Sequence, residues 1–224
     1  LDYSISVPGL SRFRVNIFKQ RGNLSAAFRR LPYEIPKIET LGLPEQIIKL
    51  SEKRRGLLLI TGATGSGKST TMAALIEKIA NELDGHILTI EDPIEYLYEH
   101  SKSLVNQREI GSDTQNFQSS LKSVLRQDPD VVAIGELRDA ESMNAALTIA
   151  ETGHLVLGTL HTSSAAKTVE RIVDVFPVEQ QEQARLQVST SLAGVMSQTL
   201  CKNTKGKRSS DHELMINTPA ISHL

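Results

Sequence analysis

Cysteine is almost absent: Cys201 is the only one in 224 residues. That excludes an internal disulfide and a four-cysteine zinc site, and it suits a reducing, cytoplasmic compartment. There is no tryptophan, and all aromatics together reach 4%. That is too few for the stacking surfaces with which proteins hold single-stranded nucleic acid. An excess of charge is missing too. Lys and Arg number 25 against 26 Asp and Glu, a formal net charge of −1, so nothing pulls the chain as a whole toward nucleic acid or an anionic membrane. No apolar run approaches the ~20 residues that a membrane helix requires. With 39% hydrophobic and 23% charged residues, what remains is an ordinary globular composition with enough apolar material for a full core. The length accommodates one domain and a smaller piece. The chain opens at Leu1 rather than Met and stops as a helix is beginning, so a fragment of a longer protein is expected.

What the chain does have is a complete phosphate-binding pattern, Gly62-Ala63-Thr64-Gly65-Ser66-Gly67-Lys68-Ser69. It follows an apolar strand, Leu57–Thr61, and opens a run of good helix formers. Glycines let the backbone wrap until several N–H groups aim at one anion, and the helix adds its positive end. Lys68 supplies a point charge for the terminal phosphates, and Ser69 offers a hydroxyl to Mg²⁺. Thr70 joins this set at the start of the helix. The expected ligand is a nucleoside triphosphate, ATP, with Mg²⁺.

Periodicity organises the rest. Alternating apolar residues predict strands at 12–18 and 24–31 around a turn at 19–23, then a linker near 31–39 broken by Pro32 and Pro36. A helix opened by Pro44 is expected at 43–53. Beyond it, strands at 56–61, 86–90, 131–135 and 155–160 alternate with helices at 68–82, 114–126, 140–151, 165–173 and 179–192. Late strands are expected at 195–200 and 212–216. Unbroken apolar strands between helices imply a parallel sheet covered on both faces, with ligands beyond the carboxyl ends of the strands.

Chemistry-bearing residues recur at those ends. Glu91-Asp92-Pro93-Ile94-Glu95 follows the second strand. It fits either a polar loop or carboxylates that work beside a phosphate with its metal. Glu136 closes the third strand, in the manner of a Walker B acid, with Gly135 where an aspartate is usual. His161 follows the fourth, where it could sense a γ-phosphate or orient water; a structural histidine is the alternative. If the hairpin turns near Arg21-Gly22, Arg14 faces Arg29. Like charges opposite one another are unfavourable unless they share an anion or simply reach solvent. The run Lys202, Lys205, Lys207, Arg208 reads as an exposed loop.

Together these strings resemble the secretion and pilus motor ATPases. ILTIEDPIE at 87–95 resembles their Asp box, GELRD at 135–139 their Walker B, and TGH at 152–154 through LHT at 160–162 their His box. The strings at 104–109, 163–168 and 171–177 resemble the type IV pilus retraction ATPases in particular. The resemblance implies an α/β fold: a RecA-like P-loop NTPase core with a mainly parallel sheet at 39–224, lacking its C-terminal helices, preceded at 1–38 by part of a small PAS-like α+β domain. It implies a homo-hexamer hydrolysing MgATP, working at the inner face of the cytoplasmic membrane on an inner-membrane pilus platform protein, without nucleic acid. It gives Glu95 the part of general base and has Glu136 hold Mg²⁺ through water. Arg14 and Arg29 would reach the phosphates, and His154 and His161 would couple the γ-phosphate to subunit motion. Pro219-Ala220-Ile221 begins a longer motif of the retraction ATPases, in which Ser222-His223 stands for an arginine–asparagine pair. An ATP-dependent assembly module with little turnover is the alternative function. A DNA motor is disfavoured by the balanced charge and scarce aromatics.

Overall fold

The computed structural model describes residues 1–32, 34–204, 206 and 208–222. Tyr33 in the expected linker, Lys205 and Lys207 in the basic run, His223 and Leu224 lie outside them. Among the described residues, no helix is long and apolar enough to cross a membrane.

Two sheets form. The first is antiparallel, with β1 (Asp2–Val7), β2 (Ser11–Gln20) and β3 (Asn23–Arg30) side by side. Arg21 (φ 50) and Gly22 (φ 81) make the two-residue turn, and left-handed conformations at both positions suit the twist of a tight hairpin. The turn fixes the register, so Arg14 does pair with Arg29. One face of this sheet carries Ser4, Arg12, Arg14 and Arg29 toward the rest of the chain. On the other, Leu24 and Phe28 are 75% and 64% exposed.

The second sheet has seven strands: β4 (Gly56–Thr61), β5 (His86–Glu91), β6 (Leu104–Glu109), β7 (Val131–Ile134), β8 (Leu155–Leu160), β9 (Leu192–Lys202) and β10 (Arg208–Ile216), in the order β10-β9-β4-β8-β7-β5-β6. All neighbours are parallel except β10, which folds back antiparallel on β9. Alternation along each strand feeds two cores. Leu57, Leu59, Leu88, Ile90, Val132 and Ile134 pack under α3 (Phe117–Val124), α4 (Ala140–Glu151), α5 (Ala165–Asp174) and α6 (Gln181–Ser191). Leu58, Ile60, Ile87, Ala133 and Leu157 pack under α1 (Glu45–Ser51) and α2 (Lys68–Glu82). Every residue of β4 and β8 is buried, and each Leu or Ile so placed contributes about 1.5–3 kcal/mol. A four-residue helix, α7 (Pro219–Ser222), closes the described chain.

The expected helix at 114–126 begins at Phe117, because the Asn116 side chain accepts the Ser119 N–H at 2.8 Å and caps it there. It ends in a 3₁₀ turn, Leu125–Gln127, before Asp128 turns left-handed (φ 51). The helix expected from 179 likewise starts with a 3₁₀ turn, Val178–Gln180. β9 and β10 exceed their expected lengths because they pair as one hairpin over nine residue pairs from Arg208↔Lys202 to Ile216↔Gly194. Strand β6 was not expected at all.

Candidate nucleotide-binding site

Because β4, β5, β7 and β8 run parallel, their carboxyl ends share one edge of the sheet, and so do the segments that follow them. The loop after β4 bends through Gly62 (φ 139), Gly65 (φ 81) and Gly67 (φ 93). At Gly62 a Cβ would lie 2.3 Å from the Gln198 carbonyl oxygen and 2.6 Å from Ser66 Oγ, so only glycine fits. Gly67 caps α2 with no side-chain acceptor for the first-turn N–H groups. Those donors and the positive end of the helix are available to an anion. Ser66 Oγ is buried and has no hydrogen-bond partner among the described residues. A cradle of this kind, with an orphaned hydroxyl and an uncapped helix start, fits a phosphate chain.

Lys68 is buried at the centre, and its Nζ donates to the carbonyls of Gly62 (2.8 Å) and Ala63 (3.1 Å). Burial pushes its ammonium below the ordinary lysine value, and the negative charges of Glu136 and Glu95 oppose that shift. Glu136 is held from two sides: Arg138 donates to Oε2 at 2.7 Å, and His161 Nε2 lies 3.0 Å from Oε1. Burial raises this carboxyl, but the Arg138 hydrogen bond and charge, with His161 and Lys68 behind them, leave it net below the usual glutamate value. Glu91 is 8% exposed and goes the other way. Its burial raises the pKa despite hydrogen bonds from Thr89 Oγ1 (2.7 Å) and Gln107 Nε2 (3.3 Å).

A cavity of ≈ 470 Å³ opens at this edge. It is lined by Thr64, Gly65 and Gly67 from the loop, Lys68, Ser69 and Thr70 from the first turn of α2, Glu91 at the end of β5, Asp92 and Glu95 after it, Glu136, His161, and Arg14 and Arg29 from the small sheet. Gly62, Ala63 and Ser66 complete the loop without lining it. A second cavity of ≈ 490 Å³ adjoins it, sharing Gly67, Thr70, Leu200 and Arg208 and extending to Thr40, Leu41 and Gly42. Among the described residues, no three His, Cys, Asp or Glu side chains are placed to hold a metal ion. Ser69 and Glu136 both line the cavity beside the loop.

The structure does not bring His154 to this site. It precedes β8, and residues before a parallel strand lie at the opposite edge of the sheet from residues after it. There its Nδ1 sits 3.1 Å from the Ile149 carbonyl oxygen and 3.2 Å from Thr152 Oγ1, at the end of α4. It lines a separate cavity with Lys78 and Asp130. Within this chain His154 is a helix-end residue, and the structure does not bring it to the cavity lined by the phosphate loop.

Several supporting residues carried no signal in the sequence. Gln198 on β9 is 3% exposed. Its Oε1 accepts from Thr71 Oγ1 and its Nε2 donates to the Ser66 carbonyl, each at 2.8 Å, so it braces the loop. The buried Tyr96 hydroxyl lies 2.9 Å from Thr70 Oγ1. Arg12 and Glu109 join the small sheet to the segment before Glu95.

This geometry has relatives. The profile of the family described as Type II/IV secretion system protein matches residues 12–221. The chain belongs to that family. The type IV pilus retraction ATPase PilT of Pseudomonas aeruginosa is 53% identical over 223 residues, covering 100% of this chain and 65% of that protein. A twitching motility protein of Neisseria gonorrhoeae is 50% identical over 225 residues, covering 100% of this chain and 60% of its own length. The crystal structure of the pilus retraction motor PilT with bound ADP superposes with a TM-score of 0.97 at 52% identity, covering 100% of this chain and 65% of that one. The chain thus spans less than two thirds of these family members' length. The superposition supports the expected α/β fold with its mainly parallel sheet and small N-terminal antiparallel sheet.

Proposed function

We propose that this chain is the nucleotide-hydrolysing part of a motor that powers type IV pilus retraction, and so twitching motility. One observation carries the reading. A phosphate loop, the carboxylates Glu95 and Glu136, a histidine and a pair of arginines from the other sheet all line one cavity. A relative 53% identical over the whole chain is named for pilus retraction. The ADP bound to the similar motor structure supports an adenine nucleotide as ligand.

In this reading the N–H groups of 62–69 and the start of α2 hold the β- and γ-phosphates, and Lys68 leaves its two carbonyl partners to meet them. The adjoining cavity at Thr40–Gly42, Leu200 and Arg208 takes the ribose and base. Mg²⁺, when bound beside Ser69, supplies charge neutralisation and in-line positioning. Glu136, with both oxygens already engaged, holds it through water. Glu95 accepts the proton of the attacking water. Arg14 and Arg29, a like-charged pair that an isolated hairpin would disfavour, stabilise the charge that spreads over the transferred phosphoryl group. His161 reports the state of the γ-phosphate to Glu136.

The working assembly is a homo-hexamer in the cytoplasm at the inner face of the membrane. There it acts on the inner-membrane pilus platform, with residues 1–38 and 39–224 moving as two units. The test is phosphate release by the full-length protein. Glu95→Gln lowers kcat by about 10²–10⁴-fold while ADP still binds; an unchanged rate would overturn the assignment.

A further inference from the structure

We propose that Arg12 and Glu109 are positioning residues that clasp the loop carrying Glu95 from two sides, so that the general base is in place only when the small sheet is docked. This rests on the reading of Glu95 given above.

Ile94 is the residue before Glu95, and both of its peptide groups are held by side chains. Its N–H donates to Glu109 Oε2 at 3.0 Å, and its carbonyl oxygen accepts from Arg12 Nη1 at 3.0 Å. The two side chains come from different sheets, Glu109 from the end of β6 and Arg12 from β2. They also meet each other, with Arg12 Nη2 3.9 Å from Glu109 Oε2. Ser4 Oγ on β1 bridges them. It donates to both carboxylate oxygens, at 2.9 and 3.1 Å, and lies 3.4 Å from Arg12 Nη2. Ser112 Oγ adds a longer contact to Glu109 Oε1 at 3.4 Å. Arg12 is 9% and Glu109 6% exposed.

A buried pair of this kind is weak evidence for stability, since removing charges from water offsets much of their attraction. What it gives is geometry. Every oxygen and guanidinium branch named above is committed to the small sheet, to the Ile94 peptide or to its partner. The same contact has a second output. Arg14 is two residues from Arg12 on the same face of β2, and Arg29 is its register partner on β3. Docking that seats Arg12 on Ile94 therefore also delivers Arg14 and Arg29 to the cavity that Glu95 lines. A motor whose two units move apart would lose its base and its arginines in one step, and keep its phosphate loop.

The test compares Arg12→Ala, Glu109→Ala, the double variant and Glu109→Gln in the full-length protein. Misplacing a catalytic group by about 1 Å costs roughly 100-fold in rate. The single alanine variants should therefore lose about 10- to 100-fold in kcat, with KM for MgATP and Kd for ADP within about twofold of wild type. The double variant should be no slower than the worse single one, because both remove the same clasp. Amide exchange in 92–96 should speed up by about tenfold or more, with 62–69 unchanged. Glu109→Gln keeps an oxygen for the Ile94 N–H and should recover most of that protection. Unchanged exchange in 92–96, or ADP affinity falling in step with kcat, would overturn the clasp. If the double variant does not fold, the single variants and Glu109→Gln decide. A wild-type protein without turnover would refute the motor reading, and the exchange comparison would still decide whether the clasp exists.

Discussion

Replacing Gln198 with leucine probes how much of the phosphate loop's shape is imposed from outside it. The side-chain amide is 3% exposed and makes two hydrogen bonds of 2.8 Å, accepting from Thr71 Oγ1 and donating to the Ser66 carbonyl. Leucine fills similar space but leaves a hydroxyl and a carbonyl buried without partners, at about 1–3 kcal/mol each. The total, about 2–6 kcal/mol, is a large share of the ~5–15 kcal/mol that holds a domain folded. Part of it is lost as global stability. The Ser66 share falls on the loop, whose bound shape a nucleotide must then impose, and about 1–3 kcal/mol there weakens binding roughly 5- to 150-fold. Gln198→Glu separates the two contacts, since it keeps the acceptor for Thr71 and sets an oxygen against the Ser66 carbonyl. Urea unfolding and calorimetric titration with ADP read the two effects. If Gln198→Leu unfolds at the same urea concentration and binds ADP within about twofold of wild type, the brace does not exist.

Two further expectations follow from the same edge of the sheet. Gly62→Ala forces a Cβ to within 2.3 Å of the Gln198 carbonyl at φ 139; the strain, about 1–3 kcal/mol, should lower thermal stability and abolish ADP binding by calorimetry. Glu91 has a folded pKa raised by burial, so folding favours its protonated form. Its contribution is full below the unfolded value of about 4.3 and is lost as pH rises through the folded value. Stability of wild type relative to Glu91→Gln should therefore decline from about pH 4 toward neutrality, and a pH-independent difference in urea midpoints would contradict this.

The parts legible in the sequence are those whose signals are local. The phosphate loop is one contiguous string between a strand and a helix. Glu95, Glu136 and His161 each follow an apolar run, and parallel strands bring such positions to one edge. The turn at Arg21-Gly22 was enough to pair Arg14 with Arg29. His154 stands before β8, and the same rule places it at the far edge of the sheet. Strand β6 has no local signature, because Leu104-Val105-Asn106-Gln107-Arg108-Glu109 has two apolar residues and no alternation. It is an edge strand whose polar side chains, Gln107 and Glu109, are used to hold the segment after β5. Gln198 reaches Thr71 and Ser66 across 127 and 132 residues of chain. Contacts of that span leave no spacing to read, because they exist only once the sheet has ordered β9 beside β4.

The central claim is that residues 62–69 hold a nucleotide's phosphates with Lys68 among them. Calorimetric titration of ADP and ATP with Mg²⁺ into folded wild-type protein and into Lys68→Ala tests it most directly. The wild-type chain should bind a single nucleotide saturably, and the variant should lose that binding. Folded wild-type protein that takes up no adenine nucleotide, or a variant that binds as tightly as wild type, would contradict it.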